Sequence, residues 1–181
     1  MMRSSLFLFL LMPLCGLALL SPIHAEEWIR IHSESGDISA LFPSDIKANP
    51  QTQTDKTLAG KVTSVFGEHR GDGILLAASA AHLPRVARAS GEKAVLKASK
   101  KTFLTQAKGK EISFERIKVS GKNAMELRYK GDAYQGKGQP YQGRAVFLLL
   151  NNRVYIINSV ISKANTENKA MEKKVFKSIT L

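Results

Sequence analysis

Apolar and polar positions alternate along this chain with periods that change from segment to segment. Residues 6–20 form an apolar run, LFLFLLMPLCGLALL, closed by Ser21-Pro22. A spanning helix needs roughly 20 such residues, so the run has the length of a signal-peptide core. Segments 28–32 and 38–42 read as two strands separated by the turn formers Ser33-Glu34-Ser35-Gly36-Asp37. Ile38, Ala40 and Phe42 share one face, and Pro43 ends the second strand. Residues 44–57 are polar and contain Pro50, which reads as a loop. Segments 60–66 and 74–80 form the next strand pair, with 67–73 as the connection, and 83–88 reads as irregular.

The period then changes to that of a helix. Leu96, Phe103 and Ala107 share a face, with Val95 and Ser99 beside them. Ser90 is placed to cap the helix, Glu92 favours its first turn, and Gly109 suits its end. After it, 111–119 is a strand whose apolar parity switches between Ile112/Phe114 and Ile117/Val119, the mark of a bulge. Residues 120–123 are a turn. Met125, Leu127 and Tyr129 alternate with Glu126, Arg128 and Lys130, so this strand has one wet face. Segments 145–150 and 154–161 are apolar on both parities, as central strands are, and Asn151-Asn152 between them is a hairpin signal. Asn165 or Thr166 caps a last helix with Met171, Val175 and Ile179 as its buried stripe. Many antiparallel strands with two inserted helices make an α+β fold: one central antiparallel β-sheet with two main helices packed on it.

The start of the chain adds a location. Arg3 precedes the apolar run, and Ile23-His24-Ala25 supplies a cleavage site, so residues 1–25 are expected to be a cleavable signal peptide and 26–181 a single domain. Cys15, the only cysteine, follows Met12-Pro13-Leu14 rather than small residues, and reads as part of the apolar run. The product is therefore expected to be exported, periplasmic or secreted, without a transmembrane segment and without a disulfide. The chain has 27 Lys and Arg against 15 Asp and Glu, a net charge of +12. The leader takes one Arg and no acid with it. The remaining excess favours an anionic partner: an envelope component, an acidic protein, or nucleic acid.

Three stretches together resemble the PsbP-like superfamily, which includes many small exported bacterial proteins of unknown function. The first is the Trp28-led strand, turn and strand ending in Phe42-Pro43. The second runs from Ile117 through Gly121 to Glu126. The third joins the Arg153-Val-Tyr155-Ile-Ile strand to the Phe176-Lys-Ser178-Ile-Thr-Leu181 ending. The resemblance spans most of residues 28–181. It implies a sheet flanked by helices and a binding or accessory role without a shared catalytic site, and it carries no functional residue onto this chain.

Motifs for chemistry are sparse. His32, His69 and His82 have no metal-ligand spacing, so neither a metal nor a cofactor is expected. Ser44 to Lys47 and Ser90 to Lys93 match S-x-x-K by letter only, because the partner motifs S-D-N and K-T-G are absent. No nucleophile elbow or phosphate loop is present. The expected class is a non-enzymatic binding or accessory protein; a secreted, host-directed factor and a cryptic hydrolase are the alternatives.

Two features are candidates for binding. Tyr134-Gln-Gly-Lys137 recurs seven residues later as Tyr141-Gln-Gly-Arg144. Two aromatics and two cations in one connection suit stacking plus contact with an anion; the plainer alternative is a long hairpin loop. The second is the lysine face of the first helix, Lys93, Lys97, Lys100, Lys101 and Lys108, set against the plain reading of a solvated back.

Overall fold

A computed structural model describes residues 27–45, 51–52, 56–57, 60–83 and 91–181. The leader, the expected cap Ser90 and the irregular 84–88 lie outside them.

The strands are β1 (Trp28–His32), β2 (Ser39–Pro43), β3 (Gln51–Thr52), β4 (Lys56–Thr57), β5 (Gly60–Gly71), β6 (Ile74–His82), β7 (Lys110–Val119), β8 (Lys122–Gly131), β9 (Tyr141–Leu150) and β10 (Arg153–Ile161). Helix α1 (Glu92–Ala107) falls between β6 and β7, and α2 (Thr166–Lys177) follows β10. The main sheet is antiparallel, in the order β3-β5-β6-β10-β9-β8-β7, with β4 also on β5. The β1–β2 hairpin is a separate two-stranded sheet, where a single sheet was expected. Its edge is taken by the chain end instead: Ser39 and Thr180 exchange backbone hydrogen bonds at 2.9 Å.

The apolar alternation distributes the core over both faces of the main sheet. On one face Leu76, Ala78, Val146, Leu148, Tyr155 and Ile157 meet Ile38, Ala40 and Phe42 of the hairpin and Met171, Val175 and Phe176 of α2. On the other, Leu127, Tyr129, Ala145 and Phe147 meet Val95 and Leu96 of α1. The result is three layers, with the sheet between α1 and a composite of α2 and the hairpin. The central strands β9 and β10 are buried on both faces, as their composition requires.

The turns follow their residues. Asn151 and Asn152 sit at φ 47° and 62°, and Ser120-Gly121 at 46° and 80°, which gives two tight hairpins whose twist suits the strands they join. The side chain of Asn165 caps α2 by accepting from the Asn168 N–H at 2.7 Å. The parity switch between Phe114 and Ile117 is not a bulge: pairing with β8 is regular there, and the two side chains pack on opposite faces of the sheet. The register shift of β7 lies earlier, between Glu111 and Ser113, and leaves Ile112 57% exposed.

Three further local expectations give way. Strand β5 does not stop at residue 66 but runs to Gly71, because Glu68, His69 and Arg70 still alternate: His69 turns inward while Arg70 is exposed. Residues 44–57 are not all loop, since two short stretches pair with β5. In α1, Gly91 stands at the N-terminal cap without a side-chain bond, and Lys108 (φ 51°), not Gly109, takes the left-handed position at the other end. Gly109 has a different role: a Cβ there would come within 2.8 Å of the Tyr129 ring.

Candidate functional site: an aromatic cleft and two lysine faces

The repeated Tyr-Gln-Gly motif is split by the sheet. Tyr141 begins β9 and Arg144 lies three residues on, so their side chains leave opposite faces. Tyr141 points toward α1 and donates its hydroxyl hydrogen to the carbonyl of Ala107, at the end of that helix. Tyr134 opens a single 3₁₀ turn, Tyr134–Gly136. Both rings are only 6% exposed, so they serve as walls rather than as open stacking platforms. Lys137 is exposed at the close of the turn. Arg144, on the far face, is held by Glu126 at 2.5 and 2.9 Å and lies 4.1 Å over the Phe176 ring of α2. The structure thus brings Tyr134 and Tyr141 together and separates them from Arg144.

Glycines make room for these rings. A Cβ on Gly143 would run into Tyr129, and one on Gly131 into Tyr141. The two tyrosines pack edge to face, 6.1 Å between centroids, and Phe103 of α1 meets Tyr129 at 5.3 Å. Burial pushes the Tyr129 hydroxyl's pKa far above its ordinary range, and burial with the nearby Asp132 charge raises that of Tyr141, so both stay neutral donors. Beside them the C-terminal half of α1 leaves a cleft of about 430 Å³, walled by Phe103, Tyr129, Tyr134, Tyr141, Leu75 and Val160. Glu68, Gln106 and Asn158 supply its polar edge. The Glu68 carboxylate is already engaged by Arg70 at 2.6 Å.

The α1 lysines do not form one uniform face. Lys93, Lys97, Lys101 and Lys108 are exposed. Lys100 is half-buried, bonded to Glu111 at 2.6 Å and 4.6 Å from the Phe114 ring centroid, so it fastens the helix to β7. Sequence reasoning passed over a second lysine face, on α2. Lys173, Lys174 and Lys177 border a groove of about 420 Å³ whose other walls are Leu41 of β2, Ala170 and Ser178. The i, i+4 spacing of Lys169, Lys173 and Lys177 was the available signal; it was overshadowed by the buried stripe of the same helix.

A polar cluster closes one end of the molecule. Asp37 accepts from the Tyr155 hydroxyl at 2.6 Å, from Ser35 at 2.7 Å and from Asn151 at 2.7 Å, with Arg153 at 3.7 Å. These bonds, Ser35 foremost, hold the Asp37 carboxyl below its usual range, while burial first and then Asp37 raise the pKa of Tyr155. The cluster ties the turn after β1 to the β9–β10 hairpin. Among the described residues no group of three His, Cys, Asp or Glu side chains is arranged to hold a metal ion, and no helix is long and apolar enough to cross a membrane.

No family model matches this sequence, and no curated protein matches it. Solved structures do. Cyanobacterial PsbP from Synechocystis superposes with a TM-score of 0.57 at 12% identity, over 91% of this chain and 98% of its own. The Ran-binding protein Mog1p of Saccharomyces cerevisiae gives 0.47 at 10% identity over 86% and 96%. A Pseudomonas aeruginosa protein of unknown function gives 0.42 at 12% over 83% and 92%. Identity this low speaks for architecture alone, and on that ground the chain has the PsbP-like fold: a mostly antiparallel sheet with two helices packed on it.

Proposed function

We propose that this protein is an exported, non-enzymatic binding module whose basic surface holds an anionic partner, either an envelope component or an acidic protein. Export rests on the leader, residues 1–25, with Glu26 as the first residue of the released domain. One observation carries the binding reading. Asp37, Asp45, Glu68, Asp72, Glu111 and Glu126 all face a cationic or histidine side chain within 4 Å. The exposed lysines of both helices have no ion-pair partner among the described residues. These six acids are engaged within the molecule, and the exposed lysines stand outward on two helices, where an anionic surface would meet them.

The purified protein should be retained on immobilised heparin and on poly-glutamate at low salt. Retention should disappear near 1 M NaCl, where the screening length falls to about 3 Å. Failure to bind either polyanion at low salt, or retention indifferent to salt, would overturn the reading.

A further inference from the structure

We infer that the groove between α2 and β2 is a docking site for an acidic segment of a partner protein, one that alternates carboxylates with apolar side chains. This deepens the binding reading above and rests on it. It assigns the contact to a face that the α1 lysines and the tyrosine loop do not share.

The groove combines an apolar floor with a cationic rim. Leu41 and Ala170 supply the floor, and Lys173, Lys174 and Lys177 stand around it. Lys169, Lys173 and Lys177 lie one above another on the same side of α2 because residues four apart share a helix face. All are exposed. Arg30 stands opposite Leu41 in the hairpin register, and its guanidinium is fixed by Ser39, Thr180 and the Ser178 carbonyl at 3.1–3.2 Å. A rim of exposed lysines beside one fixed guanidinium suits carboxylates presented along an extended chain.

The fold alone does not account for these charges. The carboxyl end of a helix favours cations, which explains Lys174 and Lys177. Lys169 and Lys173 lie before the last turn, and like charges four residues apart oppose helix formation. A column of such pairs, with no ion-pair partner among the described residues, makes sense as a surface completed by an opposite charge.

The shape favours a peptide over a lipid surface. A membrane contact needs apolar side chains that project. Among the described residues the exposed large hydrophobic side chains are Ile112 and Leu181, and neither borders this groove. Trp28 does not project as an anchor but lies under Lys174, whose Nζ is 3.9 Å from the ring centroid.

That stacking supplies the test, because Trp28 is the only tryptophan of the chain. A peptide of alternating Glu and Leu is titrated into the full protein at low salt while indole emission is followed. Occupation of the groove draws Lys174 off the ring and should shift the emission. The Lys169→Gln/Lys173→Gln/Lys177→Gln variant should bind the peptide about tenfold more weakly, and Leu41→Glu should weaken it too. Lys93→Gln/Lys97→Gln/Lys101→Gln on α1 should bind as the parent does. If the α1 variant loses binding and the α2 variant keeps it, the groove assignment is wrong while the binding-module reading stands. If the parent binds neither this peptide nor heparin, both fall. Tighter binding to phosphatidylserine vesicles than to the peptide, lost in the α2 variant, would keep the site and overturn the partner class.

Discussion

Gly143 shows how one residue of a conspicuous motif can be explained without a ligand. In the sequence, Tyr141-Gln-Gly143-Arg144 looked like a binding loop. In the fold, Gly143 is the flat seat for the Tyr129 ring, and Gly131 serves Tyr141 in the same way. Both rings are buried between strand and helix, so a methyl group cannot be absorbed by moving a ring into solvent. Gly143→Ala should therefore destabilise the protein by about 1–3 kcal/mol, the usual cost of overpacking a filled core. A urea unfolding midpoint measures it. An unchanged midpoint would show that the tyrosine layer is looser than the packing implies, and would leave the cleft beside it free to change shape.

The elements were far more legible than the ways they are joined. The hairpin at Asn151-Asn152 and the cap at Asn165 depend on local chemistry, and each is where its residues placed it. The bulge expected after Phe114 lies instead before Ser113, because the parity switch marks the two covered faces of a regular strand. The end of β5 was missed because inward-facing His69 is polar, and polarity in a strand looks like a loop until its buried side is known. The split of Tyr141 from Arg144 was readable in principle from the two-residue period of a strand; treating the segment as a loop hid it. The α2 groove was not readable, because Leu41 and Lys173 are far apart in sequence and meet only through the β1–β2 hairpin. Asp37 is the clearest case of a residue whose role lies between elements. It links the turn after β1 to the β9–β10 hairpin through Tyr155 and Asn151. Its pKa is lowered below the ordinary 3.8, so the native state favours its charged form. The stabilisation is then complete above the unfolded value and is lost as pH falls through the folded one. Stability of the parent should drop on acidification below about pH 4 more steeply than that of Asp37→Asn. At neutral pH the variant should be the less stable of the two, because Tyr155, Ser35 and Asn151 lose an ionised acceptor. Parallel urea titrations across pH 2–7 would read both effects, and coincident pH profiles would remove Asp37 from this role.

At the scale of the whole molecule, the charge excess bears on stability and binding in opposite directions. A net charge of +12 repels itself, and folding sets the lysine faces of α1 and α2 on opposite sides of the main sheet. Most of the native ion pairs oppose this only weakly, since exposed pairs are worth about 0–1 kcal/mol each. Raising NaCl from about 0.01 to 0.15 M shortens the screening length from roughly 30 to 8 Å. That relieves the long-range repulsion, while contacts such as Arg144 with Glu126 at 2.5 Å are too close and too sheltered to be screened as strongly. The melting temperature of the parent should therefore rise with salt. The same logic fixes the sign for the α2 column. Lys169→Gln/Lys173→Gln removes both like-charge contacts at i, i+4, each costing about 0.2–0.5 kcal/mol in a helix, and leaves Lys177 at the carboxyl end, where a cation is favourable. The variant should melt higher than the parent at low salt, and the difference should close as salt is added. A protein that is more stable without these lysines, yet binds its anionic probe less well, keeps them for the contact and not for the fold. A variant that melts lower at every salt concentration would mean that the column supports α2 itself, and its claim to be a docking surface would lose its physical basis.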